Sequence, residues 1–209
     1  MSLKWENINK YASVIVENIA PESIDVYLFL SEQFTKGDIC KNYLFQFVFR
    51  SFYRIDNAGL TPEFKDRYFE LMEEAKKSGN FDLSYLSKEL FKLPNRKGSN
   101  TLQFSFISKL ANTVDASYPI YDSEIGSLYG FKTPYNYKEF EVRLGEYLNF
   151  YSKLKSDYHA VLEKNMLESA IKEFEATFPK KNKPIPDIKK LDFLLWSAGK
   201  LKRSKGIKI

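Results

Sequence analysis

A chain of 209 residues that is 44% hydrophobic and 16% aromatic can bury one substantial core, which excludes a disordered chain and bounds it to one or two small domains. One cysteine, Cys40, and one histidine, His159, exclude an internal disulfide and a Cys/His metal set, and no apolar run reaches the roughly 20 residues that cross a bilayer. The net charge of +5 is uneven: residues 180–209 carry ten basic against two acidic side chains, a local +8, whereas the rest of the chain carries −3. A basic end on a mildly acidic body is the pattern of a polyanion-binding surface, or of a solvated lysine-rich tail. The chain therefore reads as a cytoplasmic protein with no cofactor, no metal and no membrane partner; its oligomeric state is not encoded in any pattern.

Apolar residues recur at intervals of three and four almost throughout, and sustained alternation is absent, so the fold class is all-α. A first helix is expected over Trp5 to Ile19. A second starts at Pro21 and runs to about Phe34, since proline suits a first helical turn. Asp38 is placed to cap a third helix reaching about Ile55, whose Tyr43, Leu44, Phe47, Val48, Phe49 and Phe52 leave little polar face and put it at the centre of the core. Cys40 then reads as a small buried hydrophobe in that helix, and His159 as a surface residue further on.

Asn57 to Leu60 is a turn, after which Thr61 and Pro62 open a helix to about Lys77, and a short helix follows over Leu83 to Phe91. Asn95-Arg96-Lys97-Gly98-Ser99-Asn100 is a basic, glycine-containing loop, suited to face phosphates or to serve as an ordinary connector. It leads into a helix over about Leu102 to Val114, whose Phe106, Ile107, Leu110 and Ala111 form the inward stripe. Ser105, Ser108, Lys109 and Asn112 lie on the other face, so Lys109 reads as a residue not buried by its own helix. Asp122 precedes a short helical pattern and can cap it. From Phe140 a long amphipathic helix, or two joined near Lys164-Asn165, reaches Phe174. Residues 179–186 form a linker, and a final helix over Asp187 to Leu201 places Ile188, Leu191, Leu194, Leu195 and Ala198 on one face.

Lys109 and Asp122 carry the chemistry. A lysine amine can attack a nucleoside sugar at C1′ and leave an imine, and an aspartate can offset the positive charge that develops as the base departs. The amine must be partly neutral, so burial or neighbouring cations such as Arg96 and Lys97 are required. The order of basic loop, Ser108-Lys109-Leu110-Ala111, helix and Pro119-Ile120-Tyr121-Asp122-Ser123-Glu124-Ile125 resembles the helix-hairpin-helix DNA glycosylases of the 8-oxoguanine type. The Leu-Pro-Gly-Val-Gly hairpin of that family is replaced here by Asn95 to Phe106. The segments Arg50 to Leu60 and Leu191 to Lys200 are also similar to a set of uncharacterised bacterial proteins.

The glycosylase resemblance implies one domain, residues 1–209, divided into two lobes: the termini together in one, the helices of about residues 38–130 in the other, with a cleft between them. It implies Lys109 as the imine-forming nucleophile, Asp122 as the essential aspartate and DNA as the partner. Arg96 and Lys97 are then candidates for phosphate contact. Arg50, Tyr53 and Arg54 can face the same cleft, with Tyr53 stacking on an extruded base; the simpler reading of Arg50 is a structural ion pair with Asp56. DNA base excision is accordingly the leading expectation, with a catalytically silent nucleic-acid-binding module or a helical protein-interaction component as alternatives.

Overall fold

The computed structural model describes residues 5–179 and 184–207 of the chain. Their regular structure is helical, with no strand among them beyond a single isolated bridge between Leu60 and Asn95. Eleven α-helices follow in order among the described residues: α1 (Trp5–Lys10), α2 (Ala12–Glu17), α3 (Pro21–Thr35), α4 (Tyr43–Phe52), α5 (Pro62–Ser78), α6 (Leu83–Phe91), α7 (Phe104–Val114), α8 (Ser123–Tyr129), α9 (Phe140–Glu163), α10 (Glu168–Thr177) and α11 (Asp187–Lys205). None is long and apolar enough to cross a membrane.

Side-chain caps set the starts of α4, α5, α6 and α8. The Thr61 hydroxyl accepts from the Phe64 N–H with Pro62 in the first turn of α5, and the carboxylate of Asp82 accepts from the Tyr85 N–H at the start of α6. The break between α9 and α10 falls at Asn165, whose φ of 51° ends the first helix, as a left-handed residue does. Two expected helices are divided. Trp5 to Ile19 is interrupted at Tyr11, which has a non-helical backbone, giving α1 and α2. Asp38 caps only a three-residue 3₁₀ turn, accepting from the Cys40 N–H, and Asn42 then caps α4 by accepting from the Phe45 N–H. Two competent caps four residues apart split the segment. Cys40 lies in that turn, partly exposed, with its thiol 3.7 Å from the Phe69 carbonyl, rather than buried in a helix.

Two apolar cores organise these helices. One gathers α1, α2 and α8–α11, around Ile15, Leu128, Leu154, Tyr158, Leu191 and Leu195; the other gathers α4, α5 and α6 with Leu30 of α3, around Phe45, Phe49, Phe64, Tyr68 and Leu86. Helix α7 serves both, with Phe104 in the first core and Phe106, Ile107 and Leu110 in the second. The expectation that α4 is buried all round is corrected here. Phe45 and Phe49 are fully buried, but Tyr43, Leu44 and Phe47 are 77%, 60% and 59% exposed, because α3 and the adjoining turns cover only one side of the helix.

Helices α8 and α11 cross at very short range. A Cβ built on Gly199 of α11 would lie 2.7 Å from the Glu124 Cβ and 2.8 Å from the Glu124 carbonyl oxygen, well inside contact distance. Only glycine lets the two backbones approach this closely.

Candidate functional site

The two cores flank a cavity of about 710 Å³. Its walls come from the end of α4 (Phe52, Tyr53, Arg54), the first turns of α7 (Ser105, Phe106, Lys109), the segment entering α8 (Ile120, Tyr121, Asp122) and α11 (Lys189, Asp192, Trp196, Lys200). Helix α7 supplies the nucleophile candidate, and its polar side is held by the chain that follows it. The Tyr121 N–H donates to Ser108 Oγ at 3.0 Å, and Asn112 Nδ2 donates to the Tyr118 carbonyl at 2.7 Å. Tyr151 of α9 adds a hydroxyl donating to the Pro119 carbonyl at 2.6 Å. Four consecutive residues, Tyr118 to Tyr121, are thereby fastened to α7, α9 and, through Ile120, α11.

That fastening fixes where Asp122 stands. Its Oδ1 accepts from the N–H groups of Glu124 and Ile125, at 2.9 and 3.0 Å, which makes it the N-cap of α8. Both bonds fall on one oxygen. Among the described residues no hydrogen bond is made to Oδ2.

Lys109 is buried, with 9% of its surface exposed, against the expectation that its face of α7 is free. The amphipathic reading of α7 set Ser108, Lys109 and Asn112 on the face opposite the apolar stripe; Ser108 and Asn112 are covered by residues 118–121, and Lys109 by α11 and the end of α4, more than fifty residues away in sequence on either side. The Lys109 amine donates to Ser105 Oγ at 2.8 Å, with the rings of Phe106 and Tyr53 at 5.0 and 5.7 Å. Burial pushes this amine down to about 8; Asp122 pulls it up and Lys189 pushes it down further. At neutral pH an appreciable fraction is then free of its proton, which an exposed lysine could not supply.

The cavity thus brings together four of the residues expected at the site, Lys109, Asp122, Tyr53 and Arg54. Arg54 adopts φ 57°, a left-handed backbone uncommon for a side chain with a Cβ, immediately before the 3₁₀ turn Ile55–Ala58. The other three stand elsewhere. Arg50 faces Asp56, Nε to Oδ1 3.2 Å, in an ion pair that Lys65 completes at 2.5 Å. Arg96 and Lys97 are exposed in their loop, outside the cavity lining. That loop is tied to the preceding turn, the Arg96 N–H donating to the Gly59 carbonyl at 2.8 Å and the Arg96 Nε to the Leu60 carbonyl at 3.2 Å.

The basic C-terminal segment is corrected as an even, exposed patch. Lys189 and Lys190 are buried: Lys190 bridges Glu175 and Asp187, and Lys189 faces Asp192 at 3.7 Å. Lys180, Lys181, Lys183 and Lys208 lie outside the described residues. Lys200, above the Trp196 ring at 4.4 Å, and Arg203, paired with Glu124 at 2.5 Å, are the basic side chains of α11 that reach the cavity mouth.

Sequence reasoning passed over Ser105, Asn112, Lys189 and Asp192. Asp192 accepts from the Ile120 N–H at 2.9 Å, the Tyr158 hydroxyl at 3.3 Å and Asn112 Nδ2 at 3.4 Å, and burial pushes its carboxyl up to about 7 against the opposing pull of Lys189. The available signal was position: Ile188, Asp192, Leu195 and Gly199 fall at intervals of four, three and four, so a carboxylate stands in the middle of an apolar stripe.

Comparison of the chain with protein-family models, with curated proteins and with solved structures finds no match.

Proposed function

We propose that this chain is a DNA base-excision glycosylase-like protein with imine-forming lyase chemistry, its two cores forming two halves around a base-sized cleft. The observation that carries the reading is a buried lysine amine, bonded to a hydroxyl rather than to a carboxylate, opening into a cavity that it shares with an aspartate. An amine held in this way can act as a nucleophile near neutral pH.

The chemistry follows from the groups present. As the N-glycosidic bond breaks, its electron pair leaves with the base, which takes up a proton, and positive charge accumulates at C1′ and O4′ of the sugar. The Asp122 carboxylate, held at the start of α8 by its capping bonds, stabilises that charge. The neutral Lys109 amine forms a bond to C1′. The amine gives up both of its protons, one to the departing base and one to O4′, and expulsion of O4′ then leaves a C1′=N imine on an opened sugar. Tyr53, Trp196 and Phe52 offer faces for an extruded base, and Arg54, Lys200 and Arg203 offer charge for the flanking phosphates.

A catalytically silent binding module is the second reading, favoured by the commitment of Asp122 Oδ1 to its own helix. One experiment separates the two. Oligonucleotides carrying oxidised, alkylated or deaminated bases, incubated with the protein and borohydride, are expected to give a covalent adduct and free base. Lys109→Ala should abolish the adduct, and Asp122→Asn should retain DNA binding while slowing base release by about 10²-fold or more. Equal behaviour of wild type and Lys109→Ala across the lesion set, with no base released, would leave the silent module.

A further inference from the structure

Two lysine amines stand beside the same ring. Lys109 Nζ lies 5.7 Å from the centroid of Tyr53 and Lys189 Nζ 5.9 Å from it, both among buried aromatic side chains and both lining the cavity. They are not equivalent. The Lys189 amine lies 3.3 Å from Asn112 Oδ1 and 3.7 Å from the Asp192 carboxylate, and the rings of Tyr27 and Phe193 lie at 5.0 and 5.2 Å from it. Lys109 has the neutral Ser105 hydroxyl. Asp192 is in turn held by three further donors from α7, α9 and the chain before α8. Burial pushes the Lys189 amine down as well, but Asp192 beside it pulls it back up, so of the two amines it is Lys189 that has a carboxylate to hold its proton and Lys109 that has none in hydrogen-bond reach.

We propose that Lys189 is the positioning residue of the Lys109 nucleophile: its carboxylate-anchored ammonium, facing the same Tyr53 ring, holds the Lys109 amine in the uncharged form that attacks. This inference rests on the reading of Lys109 as an imine-forming amine. The charged and titratable groups around Lys109 are Asp122 at the start of α8, Lys189 and Asp192 on α11, and Tyr53 at the end of α4. Burial is the largest influence on the Lys109 proton; beyond it, Asp122 favours the protonated amine and Lys189 opposes it. Asp192 is the anchor of Lys189: four donors converge on its carboxyl, so the cation opposite Lys109 has a fixed place. An amine equally buried but without this neighbour would be pulled part of the way back toward protonation by Asp122.

The protonation of Lys109 can be read without any nucleic acid. Trace acetic anhydride, applied across pH 5–11, labels each lysine in proportion to its neutral fraction, and peptide mass spectrometry compares Lys109 with the exposed Lys97 of the same sample. The Lys109 midpoint is expected to rise by about one pH unit in Lys189→Met, and to stay near the wild-type value in Lys189→Arg, which keeps the charge. Because Lys189→Met strands a buried carboxyl, Lys189→Met/Asp192→Asn is measured alongside it. The double variant removes the pair together and should show the same upward displacement. Borohydride trapping at pH 7 should fall about tenfold in both variants that lack the cation and recover toward wild type at pH 9. An unmoved Lys109 midpoint in the folded double variant overturns the proposal, as does an unchanged pH profile of trapping. A midpoint that responds to Lys189 in a protein that traps no DNA refutes the glycosylase reading while leaving the control of Lys109 by Lys189 in place.

Discussion

Replacing Lys109 by methionine is expected to raise the stability of the folded protein while abolishing the borohydride adduct. The reason is linkage. An unfolded chain holds its lysines at 10.5, and Lys109 in the folded state is pushed down to about 8 by burial. Below pH 8 both states carry the proton, and the folded state bears the full penalty of a desolvated ammonium. Between 8 and 10.5 the folded state releases the proton first, so the penalty is relieved as pH rises and is gone above 10.5. A shift of this size corresponds to about 3 kcal/mol at neutral pH. Methionine fills a similar volume without a charge, so Lys109→Met should gain about 2 kcal/mol at pH 7, a rise in Tm of about 5 °C, with the gain fading toward pH 10. Denaturation curves at pH 6, 7, 9 and 10 check it. A loss of stability at every pH would show that the ammonium is a structural partner, and would remove the ground for a nucleophile.

The second large effect concerns Gly199. Alanine there should destabilise the protein by about 3 kcal/mol, although alanine is the better helix former by about 1 kcal/mol. The added methyl would meet the Cβ, carbonyl carbon and carbonyl oxygen of Glu124, so backbone must give way and not merely a flexible side chain. Gly145 of α9 is the matched control, since nothing lies within 4 Å of a Cβ built there. Gly145→Ala should be neutral or stabilising by up to about 1 kcal/mol. Chemical denaturation of the two variants against wild type measures the contrast. Equal effects at the two positions would contradict the close crossing of α8 and α11. Because Asp122 caps α8, spreading this crossing also carries the carboxylate away from Lys109, so Gly199→Ala should weaken trapping in whatever fraction remains folded.

Much of this architecture is legible in the residues. Proline and threonine mark the start of α5, the polar pair at Lys164-Asn165 marks the break after α9, and the apolar stripe of α11 is buried where its spacing says it should be. The errors share a cause, in that periodicity describes one helix at a time. The apolar face of α4 carrying Tyr43, Leu44 and Phe47 reads as core, since nothing local records that no neighbour arrives to cover it. Lys109 reads as exposed for the converse reason, its covering elements being distant in sequence. Lys189 and Asp192, three apart on a helix in a lysine-rich segment, look like an ordinary surface pair, and counting Lys189 into a basic tail hid its place at the floor of the cavity.

The placement of α7 bears on how the molecule opens. Phe104 of this helix belongs to one apolar core and Phe106, Ile107 and Leu110 to the other, so neither core is complete without it. The two halves should therefore melt as one cooperative unit, and in hydrogen exchange the amides of Ile107 to Ala111 should be protected up to the full free energy of unfolding. Lys109 belongs to that group. Its backbone is anchored in the part of the chain that comes apart last, and any breathing that admits a large ligand has to take place in the walls facing it.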